Sequence, residues 1–463
     1  MQTLAAENRD FYHKLTITGI PMIMQQVIAV TLNLADTIMV GKVSEEALAA
    51  VGAANQVYFI FGVVLFGIFS GASVIAVQYW GIGDLKTLRN VVGIDYTTGI
   101  VLSGPGMALA YFAAPTLIGF FSDDALVIEL GVEYIRIVCV SYIFAALTYV
   151  ISYNSRVIKD LKYPTIINAC AIALNILLNY LLIYGKCGFP EMGVKGAAIA
   201  TVTARIAECV AMYAAVYLRK SHPLKAGPKD LFSYSAELFA RVMKTAVPVI
   251  ITEGLWALSV SSIFAAYGRI SAAALAVSQI AVTVTDFFQT VYFGLGNAAA
   301  VLIGEVLGQG KKDMAYRYSK NIIRVGWVLN VVMTLVIILS RGLIIDIYNY
   351  GPETSQMLME ALLVYAVALT PKMFAYLLIC AIFRSGGDTV YSMKVDVSFN
   401  VGAQIPLAYL GVLVLHWPLA WVMALVAVSD FVKVIFCFRR YYSKKWMNVF
   451  TGRDEADQNT GEI

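Results

Sequence analysis

The chain has 463 residues, of which 59% are hydrophobic and only 14% charged, and its mean hydropathy is +0.74. An ordinary globular protein is about 45–50% apolar and about 25% charged. So few polar residues cannot cover the surface of a soluble fold, and the same figures exclude a disordered chain, a collagen and a disulfide scaffold. The net charge of +4 comes without a basic polar domain, which excludes nucleic-acid binding. The composition predicts an all-α polytopic membrane protein.

Apolar runs of about 20 residues, the length that crosses a bilayer, follow one another along the chain. The first 14 residues contain no such run, so the first span is expected to serve as an uncleaved insertion signal. We predict twelve transmembrane helices, at 15–40, 47–80, 91–115, 131–154, 163–184, 193–218, 243–268, 273–305, 321–340, 357–383, 392–415 and 418–438. They define a cytoplasmic N-terminal segment (1–14), an N-terminal six-helix lobe (15–218), a cytoplasmic inter-lobe linker (219–242), a C-terminal six-helix lobe (243–438) and a charged, solvated cytoplasmic tail (439–463).

The distribution of the 34 lysines and arginines predicts the orientation of the chain. Only a few lie in the connections on one side of the predicted spans: Lys42, Lys186, Lys195, Arg269 and Arg341. Three more are assigned to the spans themselves: Arg136, Arg205 and Lys372. All others are assigned to the opposite side. Because positively charged loops stay in the cytoplasm, both termini are predicted to lie inside, in the cytoplasmic (inner) membrane of the cell.

The two halves of the sequence repeat each other. Eleven residues between Pro21 and Gly83 recur between Pro248 and Gly310 with the same spacing and without a gap. Further along, the offset between the halves grows by one position and pairs Arg156 with Arg384, Asp160 with Asp388 and Tyr163 with Tyr391. Six spans per repeat keep both halves in the same orientation, and two such bundles that rock about a shared cleft are a recurrent plan of transporters.

Several stretches of the chain resemble the multidrug and toxic compound extrusion (MATE) family. They are PMIMQQVIAVTLNLADTIMVG at 21–41, ALAAVGAAN at 47–55, NILLNYLLIYG at 175–185, GVKGAAIAT at 193–201, SRVIKD at 155–160 and FRSGGD at 383–388. The resemblance extends from Lys14 to about Arg440. It implies a secondary antiporter that expels cationic amphiphilic compounds in exchange for inward Na⁺ or H⁺.

The sequence contains no Walker A motif and no nucleophile constellation. We therefore expect no enzyme activity and no cofactor, and energy from an ion gradient. The expected partners are small drug-like molecules, the coupling ion and the lipid bilayer, and the protein is expected to be a monomer.

Polar side chains inside a bilayer are costly and are therefore functional candidates. Asp36 lies near the outer end of span 1 and shares one helical face with Gln26 and Asn33. We interpret Gln26 and Asn33 as candidates for coupling or substrate binding. A lone buried carboxyl such as Asp36 is suited to bind a proton or, with neutral oxygens around it, a monovalent cation.

Three further oxygen-bearing side chains are expected at a similar depth in the same lobe. Asn175 and Asn179 share a face of span 5 with Asn168, and Thr201 lies on span 6. The resemblance assigns a cation-binding site to Asp36, Asn175, Asn179 and Thr201, with Na⁺ as one candidate ion. Some relatives carry an Asp at the position of Asn179, so this site has one carboxylate and the choice between Na⁺ and H⁺ stays open. The alternative is that the asparagines bridge helices structurally.

A second cluster is expected near the bilayer centre of the C-terminal lobe. Glu253, Asp286 and Lys372 lie in spans 7, 8 and 10, with Trp256 one turn from Glu253 and Tyr376 one turn from Lys372. These side chains are candidates for binding an organic cation, with cation–π contacts from the two aromatic rings. Alternatively, the three charges pair and hold the lobe together.

The resemblance bears on this second cluster too. Relatives use acidic residues on the seventh helix, which supports Glu253. Many also carry an acid on the tenth helix, where this chain has Lys372 and Met373, a departure that opens the option of a partly anionic substrate.

Two sets of structural ion pairs are also expected. Arg205 and Glu208 are candidates for pairing with Glu133 or Arg136, and the repeated arginine and aspartate residues of the two cytoplasmic loops are expected to cap helix ends and tie loops. The function that the sequence predicts is a cation-coupled antiporter exporting small amphiphilic, cationic compounds. A lipid-linked saccharide flippase of similar architecture and a passive channel remain as alternatives.

Overall fold

The computed structural model describes residues 2–348 and 350–452, and describes side chains for 9–28, 39–271, 273–286, 288–346 and 350–452. Every regular element within these residues is helical. The helices are α1 (Gln2–Gly41), α2 (Glu45–Gly81), α3 (Leu85–Phe112), α4 (Ala114–Gly119), α5 (Ala125–Val138), α6 (Ser141–Val157), α7 (Lys162–Ile183), α8 (Gly193–Tyr217), α9 (Pro228–Leu231), α10 (Ala236–Gly268), α11 (Ala272–Gly308), α12 (Lys312–Tyr348), α13 (Pro352–Tyr376), α14 (Thr389–Phe399), α15 (Ile405–Tyr409) and α16 (Leu419–Tyr442). Three π-helical segments, Leu377–Phe383, Asn400–Gln404 and Leu410–Val414, interrupt the last third of the chain.

The apolar helices agree with a polytopic membrane protein but do not confirm the predicted count. Among the described residues, nine helices are long and apolar enough to cross a membrane, and α5 with α6, bent by 49° at their break, makes ten if the pair is one span. The predicted spans at 15–40 and 91–115 fall on α1, part of which lies outside the described side chains, and on α3, which does not meet the same criterion. Twelve spans therefore remain a prediction.

The repeat is visible in how helices begin. Ser44 caps α2 by accepting a hydrogen bond from the backbone N–H of Ala47 at 3.0 Å, and Ser271 caps α11 through Ala274 at 2.9 Å. The same offset that leads from Pro21 to Pro248 leads from Ser44 to Ser271. A serine hydroxyl satisfies one of the N–H groups that the first turn of a helix leaves unpaired. The same local chemistry thus starts the second long helix of each half.

The chain divides into two compact units, which we call the N unit (Met24–Ala246) and the C unit (Met1–Ile23 with Val247–Ile463). The division falls inside α1 and α10, two residues after Pro21 and one residue before Pro248. A proline inside a helix removes one backbone hydrogen bond and favours a kink. The lobe limits predicted from the sequence stay a prediction, because the unit boundaries are drawn within helices rather than in the linker.

Each unit has its own apolar core. In the N unit the core includes Val40, Ala47 and Tyr142, and in the C unit it includes Ala274 and Leu362.

The C unit also buries part of the tail that the sequence predicts to be solvated. Trp446 is fully buried, the Asn448 side chain donates to the carbonyl of Gly386 at 2.7 Å, and Thr451 donates to the carbonyl of Gly308 at 2.7 Å. The prediction of a solvated tail is therefore wrong for Trp446 and for the segment around it, although Lys444 and Lys445 are exposed.

Gly93 on α3 allows close contact with the short helix α9. A Cβ atom at Gly93 would lie 1.7 Å from the carbonyl oxygen of Leu231, so Gly93→Ala must displace backbone. We expect this variant to lose about 1–3 kcal/mol of stability, as overpacked sites do. Gly104 on the same helix has no atom within 4 Å of such a Cβ, so Gly104→Ala should gain about 0.5–1 kcal/mol. Thermal unfolding in detergent measures both, and equal melting temperatures would contradict the contact.

Candidate functional site

The polar residues predicted on spans 5 and 6 lie on two helices in close contact. Asn175 and Asn179 on α7 are 3% and 1% exposed, and Asn179 Nδ2 donates to Asn175 Oδ1 at 3.1 Å. Gly196 brings α8 against α7, since a Cβ there would lie 2.6 Å from the carbonyl oxygen of Leu182. Thr201 is half-buried on α8, five residues beyond Gly196. The two asparagines are thus held together next to the helix that carries Thr201.

The remaining first-lobe candidates are on α1. The side chains of Asn33 and Asp36 lie outside those the structure describes. The Tyr184 hydroxyl, one residue beyond the end of α7, donates to the carbonyl oxygen of Met39 at 2.8 Å. Met39 is three residues after Asp36, so this segment of α1 lies against the end of the helix that carries the asparagine pair. Gln26 is half-buried.

Two further polar contacts in the N unit were not predicted. The buried Gln25 donates to the Thr165 hydroxyl at 2.9 Å, a contact between α1 and α7. Asn168, which the sequence places on the face of Asn175 and Asn179, donates instead to Glu208 Oε1 on α8 at 3.0 Å. Asn168 therefore ties α7 to α8 through a carboxylate.

The predicted pairing of Arg205 and Glu208 with Glu133 or Arg136 is wrong. Arg205 donates to the Tyr58 hydroxyl at 2.8 Å, and its guanidinium carbon lies 4.4 Å from the Tyr58 ring centroid. Glu133 lies 3.8 Å from Lys195, and Arg136 donates to the carbonyl oxygen of Tyr111 at 3.4 Å. An aromatic ring with a hydroxyl offers a guanidinium both a π face and an acceptor, which competes with a carboxylate as a partner.

In the C unit, Glu253 is part of an ion pair that the sequence does not indicate. Arg384 Nη2 lies 2.8 Å from Glu253 Oε1, and the two side chains are 8% and 20% exposed. The arginine comes from the segment that the sequence predicts to cap a cytoplasmic helix end. Its guanidinium instead pairs with the carboxylate of Glu253 on α10. Trp256, one turn from Glu253, is 39% exposed.

The other members of the predicted second cluster lie on α11 and α13. Asp286 is exposed and accepts a hydrogen bond from Gln289 Nε2 at 3.0 Å. Lys372 is within electrostatic range of Asp286 and of Asp430. The Tyr376 ring lies 5.0 Å from that of Phe293, on the face of α11. The structure therefore brings Lys372 near Asp286, while Glu253 has its own cationic partner.

A second buried group of charges in the C unit was missed. Lys433 on α16 forms an ion pair with Asp396 on α14 and donates to Asn400 Oδ1 at 3.2 Å, and Asp430 accepts from Gln404 at 2.9 Å. Asn400 and Gln404 are the ends of a π-helical segment, a distortion that is frequent at functional sites. The three-residue spacing of an acid and a base inside an apolar run was the available signal.

The segment that follows α8 in the N unit is held by three side chains. Arg219 Nη1 lies 2.8 Å from Asp160 Oδ2, and its guanidinium carbon lies 4.0 Å from the centroid of the Tyr163 ring. We call this arrangement the Asp–Arg–Tyr clamp. It links the start of α7 to the segment that follows α8, so the expectation that Asp160 ties a loop is confirmed.

The C unit contains the same clamp. Arg440 donates to both oxygens of Asp388, at 2.7 and 3.0 Å, and its guanidinium carbon lies 4.6 Å from the Tyr391 ring centroid. Asp388 and Tyr391 are the repeat partners of the aspartate and tyrosine in the first clamp. The arginine in each unit comes from the end of the sixth predicted span of its half. The duplicated contact supports the repeat by geometry rather than by identity alone.

His222 adds a pH-sensitive contact to the first clamp. Its Nδ1 accepts a hydrogen bond from the N–H of Leu224 at 3.2 Å, so the ring is neutral and Nε2 donates to Asp160 at 3.0 Å. Burial lowers the pKa of His222 below its ordinary value of about 6.5, against the opposing effect of the hydrogen bond to Asp160.

We therefore expect the contacts of the segment at 219–227 to weaken in acid. The unfolded chain takes up the histidine proton at a higher pH than the folded protein does, so stability is complete above about pH 6.5 and is lost as the pH falls through the lower folded pKa. His222→Gln should remove this dependence. Thermal unfolding of both proteins between neutral and acidic pH tests the prediction, and parallel pH profiles would contradict it.

The chain is similar to transporters over most of its length. The MatE family model matches residues 21–181 and 248–410. The probable multidrug resistance protein NorM of Thermotoga maritima is 27% identical over 348 residues, 72% of each chain. The uncharacterized transporter YisQ of Bacillus subtilis is 26% identical over 435 residues, which cover 92% of this chain and 93% of YisQ.

Solved structures show the same fold. The outward-facing conformation of a multidrug resistance MATE family transporter of the MOP superfamily matches with a TM-score of 0.85 and 19% identity, over 93% of this chain and 96% of that chain. A MOP superfamily transporter from Pyrococcus furiosus matches with a TM-score of 0.84 and 20% identity, over the same shares. These relatives are transporters rather than enzymes. Because the family model covers most of both halves and these apolar helices form its fold, the protein belongs to the MatE family and is a multi-pass membrane transporter.

Proposed function

We propose that the protein is a secondary antiporter that exports small amphiphilic, cationic, drug-like compounds in exchange for Na⁺ or H⁺. It acts as a monomer in the cell membrane with both termini in the cytoplasm. The observation that carries this proposal is the buried Asn175–Asn179 pair on α7, held beside α8 and next to the segment of α1 that carries Asp36. Relatives that are probable multidrug resistance proteins support export, rather than uptake, and a drug-like cargo.

The coupling ion binds in the N unit. Asp36 supplies one negative charge, and Asn175, Asn179 and Thr201 supply neutral oxygens, a set suited to a monovalent cation or to a proton on the carboxyl. Asn33 lies one turn from Asp36 on α1. Binding of the ion neutralises a charge that would otherwise lie uncompensated in an apolar environment, which favours one conformation of the helix over another.

The cargo contacts the C unit through Asp286 and Trp256 rather than through Glu253. Glu253 is compensated by Arg384, whereas Asp286 is exposed and Trp256 presents 39% of its surface. A carboxylate and an aromatic ring both attract an organic cation. Lys372 reduces the negative potential near Asp286, which limits the site to weakly or singly charged cations. Tyr376 packs against Phe293 on α11, the helix that carries Asp286.

Asp286→Asn is expected to weaken transport of a cationic dye. A hydrogen bond or contact to a charged group is worth about 1.5–3 kcal/mol, so KM should rise about tenfold or more. The matched control is Glu360→Gln, at an exposed acid on α13 that accepts from Gln356. Dye efflux at several dye concentrations separates KM from the maximal rate, and an unchanged KM in Asp286→Asn would exclude this residue from the cargo site.

Reconstitution in liposomes tests the proposal as a whole. Efflux of a cationic dye is measured under an imposed Na⁺ gradient and, separately, under an imposed pH gradient. An antiporter requires one of the two gradients for uphill movement. Dye movement that is indifferent to both would favour a passive channel, and transport confined to lipid-linked saccharides would favour a flippase.

A further inference from the structure

A buried carboxyl on α3 has one polar partner within the described residues. Asp95 is 1% exposed, and its Oδ2 accepts a hydrogen bond at 2.8 Å from the side-chain amide of Asn154 on α6. Asn154 is also 1% exposed and donates its second N–H to the carbonyl oxygen of Val150 at 2.9 Å. The amide donors are therefore fully used, and the two side chains tie α3 to α6.

The other oxygen of each side chain lacks a donor. Asp95 Oδ1 and Asn154 Oδ1 are both buried and accept no hydrogen bond from any described residue. An unsatisfied buried polar atom costs about 1–3 kcal/mol, and more when it carries charge. A single donor hydrogen placed between Asp95 Oδ1 and Asn154 Oδ1 would remove this cost for both oxygens.

No basic group within the described residues forms an ion pair with Asp95. The other charged or titratable side chains of α3 itself are Lys86, Arg89, Tyr96 and Tyr111. Those of the helices packed against α3 are Glu45, Glu46, Tyr58 and Tyr79 on α2, Glu129, Glu133, Tyr134 and Arg136 on α5, Tyr142, Tyr149, Tyr153 and Arg156 on α6, and Lys229 and Asp230 on α9. Lys86 is exposed, and Arg89 donates to the carbonyl oxygen of Pro223 at 3.1 Å. The guanidinium of Arg156 lies 4.8 Å from the Tyr153 ring centroid, and Lys229 and Asp230 are exposed. Arg136 on α5 binds the carbonyl of Tyr111, sixteen residues further along α3.

We propose that Asp95 and Asn154 form a proton-binding site in the N unit. A proton on Asp95 Oδ1 makes that oxygen a donor for Asn154 Oδ1, while Asn154 Nδ2 continues to donate to Asp95 Oδ2. One proton from solvent thus satisfies both unpartnered oxygens and removes the buried charge, giving a carboxylic acid–amide pair with two hydrogen bonds. Opening of the contact between α3 and α6 hydrates the carboxyl and releases the proton.

The fold itself does not require an acid at this position. The two offsets of the repeat lead from Asp95 to Ile322 and Ile323 in the second half of the chain. Ile322 is fully buried. The second half of the chain thus fills the corresponding position with an apolar side chain, so the repeat as such does not call for a carboxyl there.

Infrared spectroscopy of the purified protein in lipid nanodiscs tests the site directly. The wild-type protein at neutral pH is expected to show the carbonyl band of a protonated carboxylic acid that is lost in Asp95→Asn. Asn154→Ala should shift this band, because the acid loses its amide partner. Asp346→Asn, at an exposed acid near the end of α12, should leave it unchanged.

The outcomes are distinct. Identical carboxylic acid bands in wild type and Asp95→Asn would overturn the proposal, since Asp95 would then be ionised. Disappearance of the Asp95 band on addition of Na⁺ would also overturn it, because the site would then bind Na⁺ in place of the proton. Should Asp95→Asn fail to fold, the shift in Asn154→Ala decides alone. This readout needs no transport, so it is independent of the proposed function.

A role for this proton in coupling does rest on the proposed function. Asp95→Asn mimics the protonated state and cannot release a proton, so it should lower efflux driven by a pH gradient at least tenfold while the Asp36 site remains intact. Efflux at the wild-type rate, with the infrared band lost, would overturn the coupling role. If the wild-type protein itself shows no efflux under either gradient, the proposed antiport is refuted instead.

Discussion

Asp36→Asn is expected to abolish ion-driven export while leaving the protein folded. Asparagine keeps the shape of the side chain and removes the one carboxylate that the site is expected to contain. Losing a charged ligand costs about 2–3 kcal/mol, so affinity for the coupling ion should fall about 100-fold. Efflux from proteoliposomes under the gradient that drives the wild-type protein measures the loss, and size-exclusion and thermal unfolding measure folding.

A matched control separates the site from the charge change itself. Asp346 is an exposed aspartate near the end of α12, and Asp346→Asn removes one negative charge outside the site. It should export at the wild-type rate. Normal export by Asp36→Asn would refute the ion site, and equal loss in both variants would assign the effect to net charge.

Breaking the Glu253–Arg384 ion pair is expected to destabilise the C unit strongly. Removing one partner of a buried ion pair costs about 3–5 kcal/mol, because the other charge is left uncompensated. Glu253→Gln and Arg384→Gln should therefore each lower the melting temperature. The double variant should recover most of the loss, since neither charge remains. A double-mutant cycle from unfolding in detergent gives the coupling free energy.

The exposed pair Asp10–Lys14 provides the control for this cycle. Its side chains are 52% and 47% exposed at an N–O distance of 2.6 Å, so Asp10→Asn should cost at most about 1 kcal/mol. Additive effects of Glu253→Gln and Arg384→Gln would contradict the ion pair. If the double variant transports the cationic dye with the KM of the wild-type protein, Glu253 has a structural role and does not bind the cargo.

Local patterns predicted much of the helical architecture. Long apolar runs locate the helices, and the constant offset between the two halves agrees with the matching serine caps that the structure shows on α2 and α11. The spacing of Asn175 and Asn179 by four residues places them on one face, and the structure brings their side chains into contact. These features depend on neighbours along the chain, which a sequence displays directly.

Partners distant in sequence could not be predicted in the same way. Arg384 and Glu253 are 131 residues apart, and only packing brings them together. The 49° break between α5 and α6 and the three π-helical segments within the described residues were not predicted either. The pairing of Asp95 with Asn154 is of the same kind, since the two residues are 59 positions apart and lie on different helices.

Obligatory exchange is the central claim, and counterflow measures it directly. Proteoliposomes are loaded with a cationic substrate, without any initial Na⁺ or pH gradient, and are then diluted into substrate-free medium. Outward movement of the substrate is predicted to drive uphill entry of Na⁺ or H⁺ into the vesicles, and Asp36→Asn is predicted to show none. Substrate release that drives neither ion in the wild-type protein would contradict antiport.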